Sequence, residues 1–273
     1  MASILNNVSA LGASRQLGIT GAGLEQAIQR LTTGKRINKA SDDAAGLGIS
    51  NKLGADIRVA SQAKRNANDG VSYLQVADGV LDEVTNLSTR ASELGQQAQT
   101  GTISDSNRKN INLEFQNIIN TIADIGQKTS FNGAKVFDTG TTVSVSVGDF
   151  SAITITVASI STAAGSALGL VAGTDKLSSA SDAATAATNI AKALESVSGL
   201  RASLGASMQQ LTSVSNSLGI QVENFTAAYS QIRDANIADE IVNLTKYQIL
   251  NQSGTSALSQ ANQAQQQILG LLR

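Results

Sequence analysis

The sequence predicts a mainly α fold: a long antiparallel helical coiled-coil rod formed by the N- and C-terminal segments, with a small β-hairpin region in the middle. Three observations carry this. The 273-residue chain has no Pro, the strongest helix breaker, and is rich in Ala, Leu and Gln, which are good helix formers. It has no Trp, three Tyr and five Phe, so Ala, Leu, Ile and Val must fill the interior, which suits thin layers between helices better than a thick core. An apolar seam at heptad spacing runs through residues 190–232, whereas strict apolar–polar alternation is confined to residues 143–157.

The elements follow in chain order. Ile4, Val8 and Leu11, then Leu24, Ile28 and Leu31, recur at spacings of three and four and predict a weakly amphipathic first helix. Ser41 is the expected N-cap of the next helix, with Asp42 and Asp43 placed where the helix dipole favours carboxylates. That helix carries Ala67, Val71, Leu74, Val80, Val84, Leu87, Ala91 and Leu94. Residues 101–107 read as a turn, and Ile111, Phe115, Ile118, Ile122 and Ile125 mark a further helix. Phe131-Asn132-Gly133 is a turn signal. Val143, Val145 and Val147, then Ile153, Ile155 and Val157, alternate with small or polar residues and predict a hairpin around residues 148–152. The Ser-, Thr-, Ala- and Gly-rich stretch after it shows no periodicity.

The clearest pattern is Ile190, Leu194, Val197, Leu204, Leu211, Leu218, Val222, Phe225, Tyr229 and Ile232, interrupted by Arg201, Met208 and Ser215. It amounts to roughly 60 Å of helix at 1.5 Å per residue, which must lie along partner helices. Ile237, Ile241 and Leu244, then Leu258, Ala261, Ile268 and Leu272, continue the logic at lower hydrophobicity, with Gln265 at a seam position. Both ends are therefore helices apolar enough to pair but too polar to be stable alone.

Chemistry is poorly served. With no His and no Cys there is no imidazole base, thiolate nucleophile or usual zinc site. Asp42 and Asp43 are adjacent, so on a helix they diverge by about 100° and serve better as caps than as an acid–base pair. Gly21-Ala22-Gly23 and Gly46-Leu47-Gly48 lack the spacing of a phosphate loop and read as close-packing or flexible positions. No catalytic residue, cofactor or metal site is assigned. A net charge of −1, from 20 basic and 21 acidic residues, gives no basic field for nucleic acid. No run of about 20 apolar residues suggests membrane insertion. The first residues show no basic and apolar leader, which suggests a cytoplasmic protein or export by a route that needs none. What remains is a structural protein, and the weak apolar stripes at both ends point to a polymerising subunit rather than an autonomous rod.

At this point a resemblance enters. Leu31-Thr32-Thr33-Gly34-Lys35-Arg36-Ile37-Asn38, Ala40-Ser41-Asp42-Asp43-Ala44-Ala45-Gly46, Arg65-Asn66-Ala67-Asn68-Asp69-Gly70 and the Phe131-Asn132-Gly133 turn resemble bacterial flagellins. So do Gln248-Ile249-Leu250-Asn251-Gln252-Ser253-Gly254-Thr255-Ser256, Gln260-Ala261-Asn262-Gln263 and the closing Leu271-Leu272-Arg273. The similarity spans about residues 1–138 and 200–273.

The resemblance implies an extracellular filament subunit for swimming motility, exported by the flagellar secretion apparatus without a cleaved signal peptide. It implies inner-core helices and spoke in 1–43 and 235–273, outer-core helices in 44–130 and 179–234, and a short β-hairpin or variable region in 131–178, where large flagellins insert surface domains. Polymerisation is assigned to the inner-core seams: Ile4, Val8, Leu11, Leu24, Ile28, Leu31, Ile241, Leu244, Leu258, Ala261, Ile268 and Leu272. The implied partners are further copies of the chain, a flagellar export chaperone, and the cap and hook-associated proteins. Arg90, Leu94 and Glu114 match the positions through which some flagellins contact the vertebrate flagellin-sensing Toll-like receptor. The competing readings are a hook–filament junction protein, which has similar termini, and a non-flagellar secreted coiled-coil scaffold or adhesin.

Overall fold

The computed structural model of the chain describes residues 7–137, 141–148, 152–160, 168–171 and 173–271, with only the backbone described for residues 141 and 268–271. Five helices and two small antiparallel hairpins make up the described residues: α1 (Val8–Thr33), α2 (Ala44–Gln99), α3 (Asp105–Lys128), β1 (Ser130–Phe131), β2 (Ala134–Lys135), β3 (Thr141–Val145), β4 (Ile153–Val157), α4 (Ala180–Arg233) and α5 (Ile237–Leu271). They form two compact units, one of Arg58–Val222 and the other of Met1–Ile57 with Glu223–Arg273.

In the Arg58–Val222 unit, α2, α3 and α4 pack around a continuous aliphatic core. Ala63, Ala67, Leu74, Leu81, Val84 and Ala91 line α2, and Phe115, Ile119 and Ile122 line α3. From α4 come Ala183, Ala186, Ile190, Ala193, Val197, Leu204, Leu211 and Leu218. Both α3 and α4 start beside the C-terminal end of α2 and run antiparallel to it. Arg201 of α4 pairs with Asp78 and Asp82 of α2 at 2.9 and 2.8 Å, Ser215 donates to Asn68 at 2.9 Å, and Gln99 donates to the Ala183 carbonyl at 3.4 Å. Two of the expected seam interruptions are thus polar contacts between α4 and α2, and Met208 is partly buried against the core. The helix starts and stops follow local chemistry. Ser104 caps α3 by accepting from the Asn107 amide, and Asp105 and Lys128 sit at the ends where the helix dipole favours their charges. Arg108, nearly buried, donates to the carbonyls of Ala98 and Ile103 and closes the α2–α3 connection.

The hairpins lie where the sequence places them. Asn132 and Gly133 both take positive φ, 49° and 80°, the geometry a two-residue turn needs between right-twisted strands. In the larger hairpin Val143 faces Ile155 and Val145 faces Ile153, with Val145, Val147, Ile153, Ile155 and Val157 buried. One segment departs from expectation. The stretch beyond β4, which has no periodicity, sends Ile160, Leu168, Leu170 and Leu177 fully into the core. Side chains hold its described part after Leu170: Asn112 accepts from the Leu177 amide, Gln116 from the Gly173 amide, and Asp175 from the Val171 amide and the Asn189 side chain.

The helix start expected at Ser41 is corrected. The Asp42 carboxylate accepts from the amides of Asn38 and Lys39, closing a separate turn, so the helix begins at Ala44. Asp43 caps it, accepting from the Gly46 amide at 2.8 Å.

Phe115 is completely buried and Leu113, two residues away on α3, is 63% exposed. In urea denaturation Phe115→Ala should destabilise the protein by about 3–5 kcal/mol, whereas Leu113→Ala should shift stability by less than about 0.5 kcal/mol.

Candidate interaction surfaces

No cluster of His, Cys, Asp and Glu that could hold a metal is present among the described residues, and two surfaces carry the interaction residues expected from the sequence. The first is the α1–α5 pair. Asn7 caps α1 by accepting from the Ala10 amide and donates its side-chain NH2 to the Ala261 carbonyl at 3.0 Å. Leu17 packs beside Gly254, Tyr247 lies over Gly23, and Arg30 pairs with Glu240 at 2.9 Å. At the base the Arg36 amide donates to the Arg233 carbonyl and the Ala235 amide to the Gly34 carbonyl. Partners climb α1 as they descend α5, so the two helices run antiparallel in one continuous register.

Small residues permit the close approach. A Cβ on Gly23 would come within 2.6 Å of the Tyr247 ring. Gly34, at φ 68°, takes the left-handed conformation that ends α1, its amide bonding back to the Arg30 carbonyl at 2.8 Å. Of the glycines singled out in the sequence, Gly23 and Gly46 are close-packed, while a Cβ at Gly21 or Gly48 would meet nothing within 4 Å.

The seam residues divide into two groups. Leu24, Leu31, Leu244, Leu258 and Ala261 are half-buried. Val8, Leu11, Ile28 and Ile241 are not on the intramolecular seam and remain 73%, 64%, 48% and 50% exposed, joined by Ile19, Val242 and Ile249. The reason is the width of the stripe: spacings of three and four place apolar residues over more of the helix surface than a single partner helix covers. Ile4 and Leu272 lie outside the described residues, as does the side chain of Ile268. The Arg30–Glu240 pair, with Glu240 only 6% exposed, gave no sequence signal, because a lone Arg and a lone Glu 210 residues apart look like surface charges.

The second surface lies on α2 and α3. Arg90 and Glu114 are both about half exposed and joined by two guanidinium hydrogen bonds of 3.0 and 2.8 Å, with Glu93 adding a third at 3.0 Å. These carboxylate bonds, that to Glu114 foremost, raise the Arg90 pKa. Leu94, expected as a contact residue beside them, is corrected to a core position: it is 1% exposed, because the helix turns it into the aliphatic interior.

Among the described residues one carboxylate, that of Asp42, has a lowered pKa. Hydrogen bonds from the Lys39 and then the Asn38 amide hold Asp42 below its ordinary 3.8, and the charges of Arg30 and Lys39 add to the effect. A depressed folded value means the ionised turn contributes stability above the unfolded pKa of about 3.9 and loses it as pH falls through the lower folded value. The Asn38 and Lys39 amide resonances should titrate with a midpoint below 3.8, and Asp42→Asn should remove that transition.

Residues 4–142 match the model of the bacterial flagellin N-terminal helical region, and residues 187–272 that of the C-terminal helical region. The chain is similar to a flagellin of Halalkalibacterium halodurans, 38% identical over 271 residues that cover 99% of each chain. It is likewise similar to the flagellar filament 30.7 kDa core protein of Treponema maltophilum, 38% identical over 98% of this chain and 99% of that one. Among solved structures it resembles the crystal structure of Bacillus cereus flagellin, with a TM-score of 0.50 and 28% identity over 60% of this chain and 94% of that one.

Proposed function

Because the chain belongs to the bacterial flagellin family, and so is a structural subunit of the extracellular flagellar filament, we propose that it polymerises through the apolar faces that α1 and α5 leave open once they have paired with each other. The observation that carries this reading is the split within the seam: α1 and α5 dock, yet Val8, Leu11, Ile28 and Ile241 stay in solvent. Burying one such side chain against a neighbour would contribute roughly 1.5–3 kcal/mol, so a lattice that covered several would outweigh the cost of ordering the ends. Leu24, Leu31, Leu244, Leu258 and Ala261 then hold the helix pair together, while Ile4, Ile268 and Leu272 would extend the same stripes at its far end.

The family also supports a route and a set of partners. Export would run through the flagellum's own secretion apparatus without a cleaved signal, with an export chaperone, the cap and the hook-associated proteins meeting the same terminal helices. No described helix is long and apolar enough to cross a membrane.

A second reading concerns Arg90 and Glu114. Their exposed, mutually oriented charges form a polar patch with Leu94 beneath it as support. We infer that this patch contributes to contact with the vertebrate flagellin-sensing Toll-like receptor. Purified wild-type monomer should stimulate receptor-bearing cells, and Arg90→Ala should weaken the response. A silent wild-type protein would exclude the contact.

Deleting Ile268 to Arg273 should leave the melting of the Arg58–Val222 unit unchanged but abolish filament formation at ten times the wild-type critical concentration. Sedimentation and negative-stain microscopy would read the outcome, and normal filaments from the truncated chain would count against the model.

A further inference from the structure

The segment from Arg65 to Gly70 sits where α2, α4 and the larger hairpin of one unit meet, and nearly every residue in it has a packing role. Asn66 donates to the Ser146 carbonyl at 2.9 Å and ties the larger hairpin to α2. Ala67 is completely buried. Asn68 accepts from Ser215 of α4 at 2.9 Å. Gly70 admits both Leu211 and Val145, each 3.0 Å from where its Cβ would stand. Asp69 is different: it is exposed and has no hydrogen bond or ion pair among the described residues.

Asp69 also lines a groove of about 460 Å³ between α2 and the two hairpins. The groove is apolar where Tyr73, Phe131, Val143 and Val145 line it, with the Tyr73 and Phe131 rings edge to face at 5.7 Å. The Tyr73 hydroxyl is already committed to the Val136 carbonyl. Asn66, Asn132, Ser144 and Ser146 line the rest of it together with the Asp69 carboxylate, and an apolar stretch beside such polar groups suits a side chain with an aliphatic stem and a cationic tip.

We propose that this groove is a socket for a Lys or Arg side chain of a neighbouring copy in the filament, with Asp69 as its counter-ion. The inference rests on the filament reading above, and it commits to a second copy for a physical reason. A helical polymer is built from heterologous contacts, in which a pocket on one subunit receives a different patch of the next. The hairpins on either side are part of the folded unit, so the socket is preformed in the monomer and needs no ordering on binding.

The test is assembly of purified full-length chains in which Asp69→Asn, Asp69→Glu or Ala134→Phe has been introduced, the last narrowing the groove from β2 without touching the charge. Asp69→Asn and Ala134→Phe should each raise the critical concentration at least fivefold while leaving monomer melting as in wild type. Asp69→Glu should restore most of the loss, and the dependence of assembly on salt should weaken in Asp69→Asn. Carbodiimide treatment of wild-type filaments, but not of monomers, should give an intersubunit cross-link from Asp69 if the cation is a Lys; without that link, the same assembly profile assigns an Arg. Normal assembly by Asp69→Asn would overturn the proposal and leave the filament reading intact. A rise matched by lowered monomer melting would overturn it in favour of a folding role. Failure of the wild-type chain to assemble would strike at the filament reading itself.

Discussion

The close approach of α2 and α4 is the constraint on which the Arg58–Val222 unit depends. Alanines at 60, 63, 67, 77, 91 and 98 on one helix and at 183, 186 and 193 on the other keep the layer between them thin. A thin layer has room for few large side chains, so Phe115 and the isoleucines of α3 complete the core from a third side. The same economy explains why a chain of this length needs so few aromatics. Because dense packing transmits any change in volume to the surroundings, the unit tolerates little variation at these positions and much at its outward ones.

Polar residues within the seam do a different job from the aliphatics around them. Arg201 reaches two aspartates on α2, and Ser215 is buried against Asn68. Hydrophobic contacts at heptad spacing would be satisfied nearly as well after a slip of one repeat, whereas these pairs would not. They therefore select one register. The hydrogen bond to Asp78 foremost, and that to Asp82 with it, also raise the Arg201 pKa.

Long-range order was largely legible in the sequence, and local exceptions were not. The periodicities at 111–125 and 190–232 and the alternation at 143–157 found their helices and strands because each element buries one face and the spacing records it. The segment after β4 escaped detection for the opposite reason. Its buried Ile160, Leu168, Leu170 and Leu177 follow no repeat, and side-chain bonds from Asn112, Gln116 and Asp175 hold the amides of Leu177, Gly173 and Val171. Ser41 was misread because three consecutive residues there can all cap a helix, and only the backward bond of Asp42 to Asn38 and Lys39 decides among them. On the interaction surfaces, spacing identified which residues are apolar but not which of them face the partner helix. Hence the exposure of Val8 and Leu11, and the burial of Leu94, emerge only in three dimensions.

The α1–α5 pair buries few side chains: Thr20, Ala27 and Glu240 are those in the described parts of the two helices. On the proposed assembly route this has a kinetic consequence. A subunit meeting a single other copy gains too little contact to offset the ordering of its ends, whereas one arriving at a finished edge meets several neighbours at once. Starting a filament is therefore slow and extending one is fast, so free chains add to existing tips instead of clustering wherever they meet.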